Sequence, residues 1–260
     1  MAISLHEKNI LITREEKQGR QFAEKIRECQ GNPVEVPLLK ISCMEHLENQ
    51  KYFQRLANYQ WIFFTSANGV RCFFQLAKTY KINTKVLENV NVAVVGHKTE
   101  DALKKYGLSA SFIPTIYNAE VMSKEFFNVY QDVSPVLIVR GSKSLDILPE
   151  EFELRGIAYD AIEIYETLFR TDMKKRLNEV LNTGEIDFIT FTSPSSVESF
   201  HRLAQADVHV PVVCIGTTTE KTAKQLGFHY ILVPEEFTVE GMIHRMGTYL
   251  SKKELDDNAR

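Results

Sequence analysis

The amino-acid sequence repeats itself along its own length. The segment "WIFFTSANGVRCFF" from Trp61 matches "DFITFTSPSSVESF" from Asp187, and the shared Thr-Ser pairs lie 127 positions apart. The shorter segment "ILITRE" from Ile10 matches "VLIVRG" from Val136 at an offset of 126. Ordered matches at nearly constant offsets indicate that one ancestral unit was duplicated. Each unit is too long for a solenoid repeat and long enough to form a domain.

A second set of matches has an offset of 120. The segment "VGHKTEDALKKYG" from Val95 matches "IGTTTEKTAKQLG" from Ile215. At the same offset, Pro114 matches Pro234, and "AEVM" from Ala119 matches "VEGM" from Val239. The duplication therefore spans most of the chain, with a small difference in length between the two copies.

Within each copy, short apolar runs alternate with helical patterns. The runs are rich in β-branched residues, as buried parallel strands are, and comprise Ile10–Thr13, Ile62–Phe64, Val92–Val95, Val136–Val139, Phe188–Phe191, Val212–Ile215 and Tyr230–Val233. Helical patterns between them include Gln18–Gln30, Gly69–Thr79, Thr99–Tyr106 and Thr219–Leu226, with Gly31, Gly107 and Gly227 at the predicted caps. This alternation predicts an α/β protein with two flavodoxin-like, doubly wound parallel-sheet domains.

Two stretches interrupt the alternation and stay extended beyond the usual five or six residues of a strand. They are "NPVEVPLLKISCMEH" from Asn32 and "IAYDAIEIYETLFR" from Ile157. At about 3.3 Å per residue, either could leave one sheet and reach a second domain. We interpret them as a two-stranded linker at about 38–41 and 163–167. Domain one then comprises 1–37 and 168–260, and domain two comprises 42–162; two tandem domains are the alternative.

Composition excludes several classes of protein. The 260 residues carry a net charge of −3 and are 44% hydrophobic, as in an ordinary globular protein, and no basic cluster predicts nucleic-acid binding. No apolar run approaches the roughly 20 residues of a membrane span, and the first residues do not resemble a signal peptide, so we expect a cytoplasmic protein. The cysteines are scattered and the histidines lack ligand spacing, so we expect small buried cysteines and no metal site.

Polar turns follow four of the predicted strands, where ligands bind in doubly wound sheets. Free backbone N–H groups and the helix dipole make such turns natural anion sites, although each could simply cap a helix. The candidate binding residues in these turns are Thr65, Ser66, Asn68, Gly96, Lys98, Thr99, Ser193, Ser195, Ser196, Gly216, Thr217, Thr218 and Thr219. Arg14 and Arg140, at matching strand ends, could pair with an anion or form a surface or interdomain ion pair. The pattern favours a ligand with several carboxylates or phosphates.

Taken in order, these segments resemble the uroporphyrinogen-III synthase family. The matching pieces are "ILITRE", "FTSANGV", "VGHKTEDALKKYG", "VRGS…LPEEFELRGI", "IEIYET", "FTSPSSVESF", "IGTTTEKTAKQLGF" and "TVEGM". They cover nearly the whole chain. One departure lies in "RGSKSLDIL", where Lys143 and Leu145 stand in a loop in which members often carry an arginine.

The resemblance implies two α/β domains with a two-stranded linker and an active site in the cleft, which favours the interleaved arrangement. It implies a lyase that closes the linear tetrapyrrole hydroxymethylbilane to uroporphyrinogen III. The last pyrrole ring is inverted through a spiro intermediate, and water is lost. It implies no metal or organic cofactor, no nucleic-acid or membrane partner, a monomer, and a transient contact with the preceding pathway enzyme. A hinged two-domain polyanion-binding protein without catalysis is the alternative; a glycosyltransferase fits less well.

The resemblance also implies roles for particular residues. Tyr165, in "IEIYET", matches a tyrosine that the family places near the linker. A phenol stays protonated at neutral pH and could donate a proton to the leaving hydroxyl; packing of the linker strand is the alternative role. Thr99 and Thr219 match threonines of the paired turns, and Gly141 and Thr238 lie in matching segments, so we expect them at the substrate.

Overall fold

The computed structural model describes residues 3–258, with the backbone alone described for 254–258. Its strands are β1 (Asn9–Ile12), β2 (Asn32–Glu35), β3 (Leu39–Cys43), β4 (Trp61–Phe64), β5 (Asn91–Val94), β6 (Val136–Gly141), β7 (Tyr159–Phe169), β8 (Phe188–Phe191), β9 (Val212–Cys214) and β10 (Ile231–Leu232). Its α-helices are α1 (Glu16–Glu28), α2 (Gln50–Phe53), α3 (Ala67–Thr79), α4 (His97–Lys104), α5 (Ala119–Val129), α6 (Ile147–Leu154), α7 (Lys174–Asn182), α8 (Pro194–Leu203), α9 (Thr217–Gln225) and α10 (Val239–Asn258). The alternation of strand and helix predicted from the sequence is present.

The described strands form two sheets. One has the order β10-β9-β8-β1-β2, and the other has the order β3-β7-β6-β4-β5. Every pair in the first sheet is parallel, as are β5, β4, β6 and β7 in the second. The carboxyl ends of neighbouring parallel strands meet at one edge of their sheet, so residues distant in sequence become neighbours there.

Strand β4 shows how the sequence pattern builds the core. Successive side chains of a strand point to opposite faces of the sheet. Ile62 and Phe64 therefore pack on one face against residues of α3 and α4. Trp61 and Phe63 pack on the other face against residues of α5 and α6. All four side chains are buried, which is why the run is continuously apolar.

Contacts divide the chain into two compact units. Unit 1 comprises 1–40 and 167–260, and unit 2 comprises 41–166. The chain passes from unit 1 to unit 2 within β3 and returns within β7, which are neighbours in the second sheet. Within the described part of the chain, no helix is both long enough and apolar enough to cross a bilayer.

Two local expectations differ from the structure. Gln30, not Gly31, takes the left-handed conformation after α1, with φ of 59°, whereas Gly107 and Gly227 take it as predicted. Gly31 instead allows close packing, because an added β-carbon would lie 2.8 Å from Cγ2 of Ile26. The expectation of small buried cysteines also differs from the structure: Cys43 is only half-buried, and it forms a disulfide with Cys72 between β3 and α3. The two lie 29 positions apart, and sequence spacing did not indicate that the fold brings them together.

Candidate functional site

The carboxyl edge of the unit 2 sheet brings Ser66 and Tyr165 into contact. Ser66 is the N-cap of α3, and its hydroxyl accepts a hydrogen bond from the Gly69 amide at 3.0 Å. The Ser66 hydroxyl also lies 2.8 Å from the Tyr165 hydroxyl. Tyr165 projects from β7, two strands away from β4 in the sheet order. This hydroxyl pair links a predicted anion-binding turn to the predicted proton donor.

Gly141 holds the ring of Tyr165 close to the backbone. The register of β6 against β7 shifts between Arg140 and Gly141, which sets Gly141 opposite Tyr165. An added β-carbon at Gly141 would lie 2.6 Å from Cζ and 2.9 Å from the hydroxyl oxygen of Tyr165. Only glycine leaves room for the ring in this position. The amide of Ser142 also donates to the Tyr165 carbonyl at 3.0 Å.

Arg140 is buried, with 8% of its side chain exposed. It forms an ion pair with Asp146, with 2.5 Å between Nη1 and Oδ1, and it donates to the Ser144 carbonyl. Its Nε is buried and has no hydrogen-bond partner among the described atoms. This ion pair lies within the loop that follows β6, and the binding of an anion by Arg140 stays a prediction.

A cavity of about 260 Å³ opens beside Arg140. Its polar lining includes Thr65, Asn118 and Ser144, and its apolar lining includes Leu145 and Leu148. The hydroxyl of Thr65 donates to the Val139 carbonyl at 3.3 Å. The cavity combines apolar walls with a few polar groups, as small-molecule sites do.

The turn after β4 also carries Asn68, and the turn after β5 carries Gly96, Lys98 and Thr99. Asn68 accepts a hydrogen bond from Arg71 through its side-chain oxygen. Gly96 is the N-cap of α4, with Lys98 exposed in the first turn. Thr99 is only 3% exposed, and no hydrogen bond from its hydroxyl is found within the described residues. The Thr99 hydroxyl is therefore available to a ligand that reaches this helix end.

The carboxyl edge of the unit 1 sheet carries Arg14 and the turn after β8. Nε of Arg14 donates to Oε1 of Gln18 at 2.6 Å. Burial lowers the pKa of the Arg14 guanidinium from its usual value, and the neighbouring Glu15 opposes the shift. Ser193 caps α8 and exchanges hydrogen bonds with Ser196 in a capping box. The Ser196 side chain is fully buried, so its described contacts are those of a helix cap, while Ser195 is half-buried.

The turn after β9 repeats the turn after β5. Gly216 is the N-cap of α9, Thr217 and Thr218 are exposed, and Thr219 is 3% exposed like Thr99. No hydrogen bond from the Thr219 hydroxyl is found in the described part of the chain. Thr238 accepts the Gly241 amide at 2.9 Å in the first turn of α10.

Sequence reasoning missed two aromatic residues at these edges. Tyr117 lies against Gly96 and Phe237 lies against Gly216. The offset of 120 that relates Pro114 to Pro234 also relates Tyr117 to Phe237, so the duplication could have identified them. Among the described residues, no cluster of three or more His, Cys, Asp or Glu side chains is placed to hold a metal ion.

Comparisons with known proteins identify the family of this chain. The model described as "Uroporphyrinogen-III synthase HemD" matches residues 20–244. A porphyrin biosynthesis protein HemD from Ruminiclostridium josui is 29% identical over 243 residues, covering 91% of this chain and 47% of that protein. This chain therefore spans about half the length of that relative. A uroporphyrinogen-III synthase from Chlorobaculum parvum is 28% identical over 242 residues, covering 88% of this chain and 94% of the relative.

A solved structure shares the fold. The uroporphyrinogen-III synthetase of Helicobacter pylori 26695 superposes with a TM-score of 0.64 at 16% identity, covering 94% of this chain and 99% of that one. The family match includes the turns that carry Ser66, Thr99 and Thr219 and the strand that carries Tyr165. The chain belongs to the uroporphyrinogen-III synthase family.

Proposed function

We propose that this protein closes hydroxymethylbilane to uroporphyrinogen III, with inversion of the last pyrrole ring and loss of water. The observation that carries the proposal is the Ser66–Tyr165 hydroxyl pair, 2.8 Å apart at a sheet edge of a chain that belongs to this family. Family membership favours this lyase activity over a binding protein without catalysis.

Tyr165 is the proposed proton donor. Its phenol gives a proton to the terminal hydroxyl of the bilane as the carbon–oxygen bond breaks, and the bonding electron pair leaves with the water. The remaining methylene cation is stabilised by its pyrrole nitrogen and is attacked by the substituted carbon of the last ring. That attack gives the spiro intermediate, in which the bond from the substituted carbon to its original methylene then breaks. The methylene cation so released is attacked by the free α-carbon of the inverted ring, and the proton that this carbon loses restores the phenol. Ser66 can donate to the phenol oxygen while it is deprotonated, because its own oxygen already accepts the Gly69 amide.

The paired turns are the proposed carboxylate-binding groups. The bilane carries acetate and propionate side chains, and α4 and α9 present their free amides, with Thr99 and Thr219 in the first turn. Thr65, Asn68, Lys98 and Arg140 on one edge, and Arg14, Ser193, Ser195 and Thr218 on the other, are further candidates. Binding is therefore distributed, and the chemistry depends on orientation of the substrate.

Several finer expectations accompany the proposal. The two units are the proposed flavodoxin-like domains, and β3 and β7 are the proposed two-stranded linker. In support, the order β2-β1-β8-β9-β10 in unit 1 has the 2-1-3-4-5 pattern of flavodoxin-like sheets. A cytoplasmic location, a monomeric state and a transient contact with the preceding enzyme stay predictions.

The test is to supply fresh hydroxymethylbilane and resolve the product isomers. Without an enzyme, the bilane closes to the type I isomer without inversion, so a heat-denatured sample gives the background. We expect the folded protein to give the type III isomer. Type I product alone from pure, folded protein would overturn the proposal.

A further inference from the structure

Two exposed aromatic rings lie on the glycines that cap α4 and α9. A β-carbon built on Gly96 would lie 2.8 Å from Cγ of Tyr117. One built on Gly216 would lie 3.2 Å from Cγ of Phe237. The ring therefore rests directly on the backbone at the N-terminus of the helix that follows β5 in unit 2 and β9 in unit 1.

Each ring keeps a large free surface. Tyr117 is 55% exposed and Phe237 is 58% exposed, whereas Pro114 and Pro234 in the same loops are buried. Exposed aromatic surface beside a helix end is suited to contact with a flat, partly apolar ligand.

Each ring also stands at the start of a second helix. Asn118, directly after Tyr117, caps α5 by accepting the Val121 amide at 2.8 Å. Thr238, directly after Phe237, accepts the Gly241 amide at 2.9 Å in the first turn of α10. Each ring thus lies between two helix N-termini, where negative charge is stabilised. A planar ring that bears carboxylates matches this combination of surfaces.

Further observations point to a ligand site next to the rings. Thr99 and Thr219, each 3% exposed, lie in the first turns of the same helices, and no hydrogen bond from either hydroxyl is found among the described residues. In unit 2, the cavity of about 260 Å³ is lined by Asn118 and Ala119, the residues that follow Tyr117. Arg140 lines the same cavity, and its buried Nε has no hydrogen-bond partner among the described atoms, which is costly unless something binds it.

A comparison of Tyr117 with Phe237 shows which part of the side chain the two copies share. Tyr117 has a hydroxyl and Phe237 has none, yet both rings occupy the same place on a glycine. The neighbours differ too: the ring of His97 meets Tyr117 edge-on at 5.1 Å, whereas Thr217 takes the equivalent position in unit 1. The shared feature is the aromatic face.

We propose that Tyr117 and Phe237 are platforms on which pyrrole rings of the polycarboxylate substrate stack. The carboxylates of each stacked ring are received by the adjoining helix N-termini. The two residues thereby select a flat ring with anionic substituents and hold it in orientation. This inference deepens the proposed function and rests on it.

The opposing explanation is a hydrophobic staple, in which the residue before a helix cap packs against the first turn. Met122 and Met242, the candidates for that contact, are fully buried. A staple contributes only stability, and leucine would preserve it, whereas leucine has no planar face for stacking. Leucine variants therefore separate the two explanations.

The experiment measures KM for hydroxymethylbilane, the type I fraction and the melting temperature. We expect Tyr117→Leu and Phe237→Leu each to raise KM roughly fivefold to thirtyfold, as loss of one stacked ring does elsewhere, and to raise the type I fraction. Melting temperature should stay near that of the wild type. Tyr117→Phe and Phe237→Tyr should keep KM within about twofold, because the ring remains. Leu154→Ala, 80% exposed at the far end of α6, is the matched control.

The outcomes are distinct. Wild-type protein that makes no type III product would overturn the proposed function. Wild-type protein that does make it, with folded leucine variants at wild-type KM, would overturn the stacking proposal alone. A loss of binding in the ring-retaining variants equal to that of the leucine variants would also overturn it.

Discussion

The hydroxyl oxygens of Ser66 and Tyr165 lie 2.8 Å apart although the residues are 99 positions apart in the sequence. The contact exists because β4 and β7 end at the same edge of the unit 2 sheet, with β6 between them. It ties the cap of α3 to the proposed proton donor.

We expect Tyr165→Phe to lower kcat by roughly tenfold, since it removes a donated proton but leaves the substrate-orienting groups intact. Steady-state kinetics with isomer analysis is the measurement. Tyr159→Phe is the matched control, because Tyr159 lies at the other end of β7 and its hydroxyl bonds to Glu153 at 2.6 Å. Unchanged kcat in Tyr165→Phe would remove the donor role.

Gly141→Ala should lower kcat by a similar, roughly tenfold amount, because the new methyl group displaces the Tyr165 ring that now lies 2.6 Å from its position. The double variant Gly141→Ala/Tyr165→Phe should be little worse than either single variant. Gly19→Ala is the control, because its β-carbon would make only ordinary contacts, the nearest at 3.6 Å. Independent, multiplying effects of the two changes would contradict a shared role.

Thr99→Val and Thr219→Val should each raise KM several-fold while leaving the free energy of unfolding unchanged or slightly higher. The two residues are each 3% exposed and their hydroxyls make no hydrogen bond within the described residues, so removing the hydroxyl breaks no hydrogen bond of the fold. Substrate titration and urea unfolding measure the two effects. Thr190→Val is the control. It should lower the free energy of unfolding and leave KM unchanged, because the Thr190 hydroxyl donates to the Leu11 carbonyl at 2.8 Å.

Reduction of the Cys43–Cys72 disulfide should lower the free energy of unfolding by about 3.6 kcal/mol, as expected for a cross-link that closes a loop of this length. Urea unfolding with and without a reductant measures the change. The variant Cys43→Ala/Cys72→Ala should be insensitive to reductant, whereas Cys29→Ser should respond like the wild type. Equal wild-type stability in both conditions would contradict the cross-link.

The buried thiol of Cys214 makes stability depend on alkaline pH. Burial raises its pKa from 9.0 to about 12. Because the pKa is higher in the folded state, the stability contributed by the neutral thiol is complete below pH about 9. It is lost as the pH rises to about 12. Relative to Cys214→Ala, the wild type should lose about 1.4 kcal/mol per pH unit in this window. Urea unfolding at pH about 8 and about 10.5 tests this; a constant difference would contradict it.

Sequence periodicity determined the local structure. The apolar run Trp61–Phe64 is buried on both faces, and the turn after it caps a helix through Ser66, as its composition predicts. These features follow from residues close together in the chain, where side-chain alternation and capping preferences act directly. The duplication likewise located the turns of Thr99 and Thr219, and the ordered motifs indicated the family.

Only the tertiary structure decided which of these residues touch. The Ser66–Tyr165 pair, the fit of Gly141 under the tyrosine ring, the Cys43–Cys72 bond and the rings of Tyr117 and Phe237 on their glycines all join separate segments. Such contacts depend on strand order, on a one-residue shift in register between β6 and β7, and on packing against a backbone that lacks a β-carbon. Local propensity carries no information on these, because each is settled by close packing of elements distant in sequence.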